Sequence, residues 1–510
     1  MKSGDICCVV VALALGWFPT LTTAGDDSPP NILFIAVDDL RCELGCYGVS
    51  GVHSPNFDRL ARSGVLFTRA YCQQAVCNPS RVSVMTGLRP DSTRVWDLKT
   101  DFRTTIPEAV TLPQHLRRHG YRAVSYGKIF HNPFPDQVSW DEPHRWPEEA
   151  QLWSAAAREE LAETRQRLRD EGVPEAAIQR LRARALEQVD VEDSQHVDGA
   201  IAEQGIAAMQ RLSQGDQPFF LAVGFVRPHL PFVVPTKYWD QYRPDEISLA
   251  ENQFLPRGSP AVAFGDRSQG GFYELRDYLD FRTAPSPFKR PLAAARQREL
   301  KHGYYAAVSF IDAQLGRLLD ELDRLDLTNK TVVVLWSDHG WKLGEHGGWC
   351  KQTNYEIDTR SPLMIRAPRA RGNGGACSAL VEFVDIYPTV CDLAGVPVPD
   401  ILEGHSLRPL LNDPDSPGRD AAFSQFPRTH KGRDSMGYAM RTDQYRYVEW
   451  IDTETGETIA SELYDHERDA GENDNLAGDE SRSAAVREHS SRLRTQFDLD
   501  VYRDVKRLSP

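Results

Sequence analysis

Residues 31–37 form an unbroken apolar, β-prone run that ends in Asp38-Asp39. A strand apolar on both faces belongs inside a sheet covered on both sides. Residues 54–64 follow with Ser54 and Pro55 in front and Gly64 behind, the marks of a capped helix. The alternation then repeats. Residues 121–126 predict a short strand ending at Gly127-Lys128, 196–212 carry helical spacing, and 219–225 read as a buried strand. A long amphipathic helix is expected over 302–325, then a strand over 331–336 running into Ser337-Asp338-His339-Gly340. Residues 362–365 and 381–387 continue the pattern. Residues 148–186 are rich in Ala, Glu, Arg and Leu, and Gly172 and Pro174 divide them into two exposed helices.

Strand, polar loop, helix, repeated, predicts an α/β fold: a large, mostly parallel sheet sandwiched by helices. The polar clusters fall at the carboxyl ends of strands, the edge where open α/β sheets bind ligands. Residues 240–298 are irregular, with many Pro, Gly and aromatic residues, and predict long loops over that edge or a small insertion. From residue 432 the pattern changes to antiparallel strands around 438–441, 445–450 and 462–464, with a polar helix over 482–497. This divides the chain into a catalytic domain, 25–431, and a small α+β C-terminal subdomain with an antiparallel sheet, 432–510.

The first 24 residues stand apart. Residues 6–18 are almost wholly apolar, Lys2 precedes them, and Thr22-Thr23-Ala24 follows. That predicts a secretory signal cleaved after Ala24, too short to span a bilayer. With no second apolar run of spanning length, the expected mature protein is exported and off the membrane. Of nine cysteines, Cys7 and Cys8 would leave with the signal, so an odd number remains and no pairing can be deduced. Cys42 and Cys46 lack a second Cys/His pair at zinc spacing. Lys plus Arg total 59 against 73 Asp plus Glu, a net charge of −14. Such a balance argues against a nucleic-acid surface. A polyanionic substrate would need a local cationic pocket, and a short or terminal one is favoured over a long chain.

Two groups of residues carry candidate chemistry. Asp38-Asp39 at one strand end and Asp338-His339 at another would bring three carboxylates to one edge, a site for a hard divalent cation. Calcium suits the oxygens, although imidazole is an unusual calcium ligand. Either pair alone reads equally as a turn or helix cap. The second group is Val76-Cys77-Asn78-Pro79-Ser80-Arg81 with Met85-Thr86-Gly87-Leu88-Arg89. A Cys just before a helix N-terminus is expected to have a lowered thiol pKa. Taken singly, it is equally a buried cysteine in a turn.

The C-x-P-S-R run with Thr-Gly behind it resembles the sulfatase signature, whose Cys is oxidised after synthesis to Cα-formylglycine. The follow-up normally reads T-G-R; here Leu88 intervenes before Arg89. Residues 73–83, Gly127-Lys-Ile-Phe-His131, 219–232 and 336–346 look like the iduronate-2-sulfatase branch, which also has His where many sulfatases have Asn after the position of Asp338. The likeness runs from about Asn31 into the C-terminal subdomain. It implies an alkaline-phosphatase-like fold and a metal, calcium, held by Asp38, Asp39, Asp338, His339 and the modified Cys77. By the same resemblance, Arg81 orients the formylglycine hydrate, and Lys128 and Lys351 neutralise the sulfate oxygens. His131 assists proton removal, and His229 protonates the leaving alcohol from a pKa near neutrality. One hydroxyl of the hydrated aldehyde attacks sulfur; the other later loses its proton, and C–O cleavage expels sulfate.

The substrate implied by the resemblance is a sulfated carbohydrate carrying a 2-O-sulfated uronic acid, and the implied maturation partner is a formylglycine-generating enzyme. Outside this context Lys128 and Lys351 read as surface charges, and His131 and His229 as structural. His115, His119, His302 and His346 are expected to be structural, and Arg227 is a candidate substrate contact. Two other readings remain open at this point: a phosphodiesterase or phosphonate monoester hydrolase sharing the metal edge, and a non-catalytic sulfated-glycan binder that never matures Cys77.

Overall fold

Strand β1 (Asn31–Val37) is apolar throughout because its two faces meet two different cores. Leu33, Ile35 and Val37 pack with Ile201 and Phe310, from the helices Val197–Leu212 and Ala294–Arg324. Ile32, Phe34 and Ala36 face the other way, toward Val82 and Met85 of the helix Cys77–Thr86 and Val390 of the helix Ile386–Ala394. The computed structural model describes residues 1, 28–147, 150, 152–265, 271–286 and 290–499. Apart from Met1, the expected signal segment lies outside the described residues.

The central sheet adds β2 (Val65–Tyr71), β3 (Arg122–Gly127), β4 (Phe219–Phe225), β5 (Thr331–Ser337), β6 (Leu363–Arg366) and β7 (Ala376–Glu382). Their order is β7-β2-β6-β5-β1-β4-β3. Only β6 runs antiparallel to its neighbours; the other pairs are parallel. The sheet is thus mixed and mostly parallel, with helices on both faces. Register sets the site. Val37 lies opposite Ser337, so Asp38 and Asp338 leave adjacent strands at one level, and Gly127 opposite Gly224 brings Lys128 to the same edge.

The C-terminal sheet is an antiparallel meander of β8 (Ala422–His430), β9 (Arg433–Arg441), β10 (Tyr445–Asp452) and β11 (Thr458–Asp465). One face packs on the helix Ser483–Phe497 through Leu493, and the other on Tyr355, Val262 and Phe264.

Four expectations need correction. A boundary at 432 falls in the turn between β8 and β9, where Lys431 and Gly432 have positive φ; β8 was missed because Pro427 and its polar neighbours blur the strand pattern. The 381–387 run is not one element: β7 ends at Glu382, and Glu382 and Asp385 form a reciprocal cap that turns the chain into the helix Ile386–Ala394. In the Ala-rich region the second helix stops at Gln179, and Leu186–Val189 pairs with Phe232–Pro235 as a short parallel ladder. The long helix also starts early, at Ala294, because 294–301 is made of good helix formers without an apolar stripe. Before it, the irregular region carries only helices of three or four residues among its described residues. No helix among the described residues is long and apolar enough to cross a membrane. The seven cysteines in those residues are all unpaired.

Candidate active site

The loop after β1 reverses at Asp39, which adopts φ 59°, a left-handed conformation that Asp tolerates better than most residues. Its N–H donates to Asp338 Oδ1 at 3.1 Å, and its carbonyl accepts from the Tyr304 hydroxyl at 2.8 Å. The long helix therefore braces the turn that presents both aspartates. Asp38, Asp39, Asp338 and His339 are all fully buried. Cys77 is the first residue of its helix, and its Sγ lies 3.5 Å from His339 Nε2. Ligating atoms of Asp39, Cys77, Asp338 and His339 lie within 4.8 Å of one another, as do those of Asp38, Asp39, Cys77 and His229.

Arg81, one helical turn after Cys77, joins the two strand ends. Its Nε donates to Asp338 Oδ2 at 2.9 Å, its Nη2 to Asp38 Oδ1 at 3.0 Å, and its Nη1 to the Ile129 carbonyl at 3.0 Å. The guanidinium also lies over Trp336, 5.6 Å from the ring centre. Lys128 pairs with Asp38 and points its Nζ at Cys77 Sγ, 3.8 Å away. Lys351 donates to both oxygens of Asp39, at 3.0 and 2.9 Å, and stands 4.9 Å from the centre of the Trp341 ring. His229 Nε2 is 3.8 Å from Asp39 Oδ2 and 3.8 Å from Glu274 Oε1.

Electrostatics follow from this packing. Burial works against charge on Asp38, yet Lys128 and Arg81 hold its carboxyl well below the usual range. Burial pushes Asp39 well above that range; Lys351 opposes, while Asp38 and Asp338 add to the rise. Burial also disfavours charge on Lys128 and Lys351, and their carboxylate partners more than restore it. Two expectations fail here. Burial, with Asp38 next, pushes the Cys77 thiol well above its usual value, outweighing any helix N-terminal effect. His229 is not near neutrality: burial, then Lys351, hold it well below its usual value. His131 is pushed down to about 3 by burial and Lys128, with Nδ1 buried and unpartnered.

The donor set fits a hard divalent cation. Asp39 and Cys77 belong to both groups of ligating atoms, and atoms within 4.8 Å of one another are within reach of one ion with bonds of about 2.4 Å.

His115 and His302 bond backbone carbonyls, and the His346 ring lies tilted against that of Tyr355 with centres 4.8 Å apart. Arg227, the candidate substrate contact, is fully buried and donates to the His229 carbonyl at 3.0 Å, so it shapes the turn that carries His229. Sequence reasoning missed Glu274, which reaches the site from the irregular region without a motif around it. It also missed Trp341 and Tyr304, visible in the sequence only as apolar positions. A cavity of about 750 Å³ lined by Cys42, His346 and Glu472 contains none of these site residues.

This helix-covered, mostly parallel sheet, with a buried acidic edge beside a helix-initial cysteine, has an alkaline-phosphatase-like fold. The sulfatase family model matches residues 30–396, and a model described as the C-terminal part of N-sulphoglucosamine sulphohydrolase matches 344–498. The chain is 32% identical to human iduronate 2-sulfatase over 88% of this chain and 91% of that protein. It is 34% identical to the mouse iduronate 2-sulfatase over 91% of this chain and 93% of that protein. A solved structure in complex with its substrate D-glucosamine-2-N,6-O-disulfate superposes with a TM-score of 0.71 at 23% identity, covering 94% of this chain and 99% of that one. The chain belongs to the sulfatase family and is a sulfuric ester hydrolase.

Proposed function

We propose that this protein is an exported sulfatase that hydrolyses the sulfate ester of a 2-O-sulfated uronic acid within a sulfated saccharide. The observation that carries it is the convergence of Cys77, Lys128, Lys351 and three buried carboxylates at one sheet edge. The likeness to two iduronate 2-sulfatases over most of the chain supports the choice of sugar.

In this reading a formylglycine-generating enzyme converts Cys77 to formylglycine, whose hydrate supplies one hydroxyl as nucleophile and a second to release sulfate. Asp38, Asp39, Asp338, His339 and residue 77 would hold a calcium ion, which when bound would supply positive charge to favour a deprotonated hydroxyl and screen the approach of two anions. Arg81 bridges Asp38 and Asp338 and, one helical turn after residue 77, orients the formylglycine hydrate. Lys128 and Lys351 meet the sulfate oxygens, where negative charge must be stabilised as sulfur is attacked. His131, neutral at ordinary pH, takes the proton of the second hydroxyl. His229, at the outer side of Asp39, gives a proton to the leaving sugar oxygen, its imidazolium favoured by the incoming anionic ester.

The test uses protein co-expressed with a formylglycine-generating enzyme. Mass spectrometry of the peptide bearing residue 77 is expected to show the aldehyde, and a 2-O-sulfated uronate disaccharide is expected to release sulfate. Cys77→Ala is expected to lose turnover, and a chelator to lower it until calcium is restored. An unmodified thiol in protein from the native host, or faster turnover of an aryl phosphate diester than of any sulfate ester, overturns the reading.

A further inference from the structure

Glu274 stands in the site without a role in the reaction described above. It lies in a four-residue helix, Tyr273–Arg276, within the irregular region that the sequence places over the sheet edge. Its Oε1 is 3.4 Å from Lys351 Nζ and 3.8 Å from His229 Nε2. Its Oε2 is buried and has no hydrogen-bond partner. The side chain keeps 18% of its surface exposed, as His229 keeps 19%, so the two stand together at the solvent side of Lys351.

This placement is built into the backbone. Gly271 has φ +95°, and a Cβ there would lie 2.3 Å from the Lys351 carbonyl oxygen and 2.8 Å from its nitrogen. Only glycine allows that approach. Two residues on, the Tyr273 hydroxyl accepts from Gln352 Nε2 at 2.8 Å. Cys350 and Gln352, on either side of Lys351, both hold positive φ, 69° and 81°. The segment carrying Glu274 and the turn carrying Lys351 are therefore locked to each other.

A carboxylate only accepts hydrogen bonds, and a buried acceptor left unpaired costs about 1–3 kcal/mol. Lys351 already gives two hydrogen bonds to Asp39. The missing donor is thus to be sought on the substrate, next to the sulfate that Lys351 meets. Resting on the proposed saccharide sulfatase reading, we infer that Glu274 is a specificity-determining residue: it accepts a hydrogen bond from the sugar hydroxyl adjacent to the sulfate ester. It also disfavours a second anionic group at that carbon. An aryl sulfate has no such hydroxyl and gains nothing from Glu274.

The inference is tested by measuring kcat/KM for the wild type, Glu274→Gln and Glu274→Ala, all carrying the matured residue 77. The substrates are a 2-O-sulfated uronate disaccharide with a free 3-hydroxyl and 4-nitrophenyl sulfate. The ratio of saccharide to aryl kcat/KM is expected to fall at least about tenfold in Glu274→Ala, the loss of a hydrogen bond to a charged group. Glu274→Gln keeps an acceptor oxygen and is expected to recover most of the ratio. Equal losses on both substrates overturn the inference and leave Glu274 as a support for Lys351. An unchanged ratio in Glu274→Ala also overturns it while the saccharide reading stands. A wild type that turns over the aryl ester and no saccharide overturns both.

Discussion

Arg81 makes one site out of two strand ends. Three of its donors reach Asp338, Asp38 and a backbone carbonyl of the loop that follows β3, and no lysine can span that triangle from one planar head. Arg81→Lys is expected to keep the charge, lose the geometry and lower kcat by ~100-fold. A kcat within threefold of wild type, with residue 77 matured, would show that the fork is dispensable. At this scale the sequence was informative where chemistry repeats a known arrangement, as at Cys77, Arg81 and Lys128. It was silent where a residue acts through a contact made only in three dimensions. Glu274 has neighbours in the chain that say nothing of Lys351, and Arg227 sits in a motif yet is buried as scaffold.

At the scale of elements, the site depends on how closely β3 and β4 approach at their ends. The Lys128 N–H donates to the Gly224 carbonyl at 2.8 Å, and a Cβ at position 224 would fall 2.1 Å from the Lys128 carbonyl oxygen. Gly224→Ala is expected to destabilise the fold by about 3 kcal/mol and to displace Lys128, lowering activity further than stability alone accounts for. Gly215→Ala, where the nearest atom is 3.7 Å away, is the control and should leave both near wild type. Thermal melts paired with turnover at a temperature where both variants are folded would separate the effects. The buried strands were legible because a wholly apolar run has few other uses. Strand β8 and the ladder Leu186–Val189 were not, because their pairing is decided by partners distant in sequence.

At the scale of the whole molecule, Glu382 ties the two sheets together. It is fully buried at the end of β7, accepts from both Nη atoms of Arg89 at 2.9 and 2.7 Å, and from the Phe423 N–H of β8 at 2.9 Å. It also pairs with Arg419. Burial opposes its charge, but Arg89 and Arg419 lower its pKa from the ordinary 4.5 to about 2. A carboxyl with a lowered folded pKa stabilises the fold above its unfolded value and loses that contribution as pH falls toward the folded one. Stability against urea is therefore expected to drop between pH 4.5 and about 2. Glu382→Gln should flatten part of that slope and cost about 3 kcal/mol at neutral pH, since it leaves buried arginines short of a partner. A Glu382→Gln curve parallel to wild type through this pH range would place the acid sensitivity elsewhere.

The sequence by itself determined the strand–helix alternation, the covered, mostly parallel sheet and the family, because apolar periodicity and the residues around Cys77 are local in the chain. Tertiary structure alone decided where the C-terminal sheet begins, which charges face each other, and that the Cys77 thiol and the His229 imidazole lie away from their ordinary pKa values. Burial and the distance between charges are properties of the packed whole, and nothing in a local pattern records them.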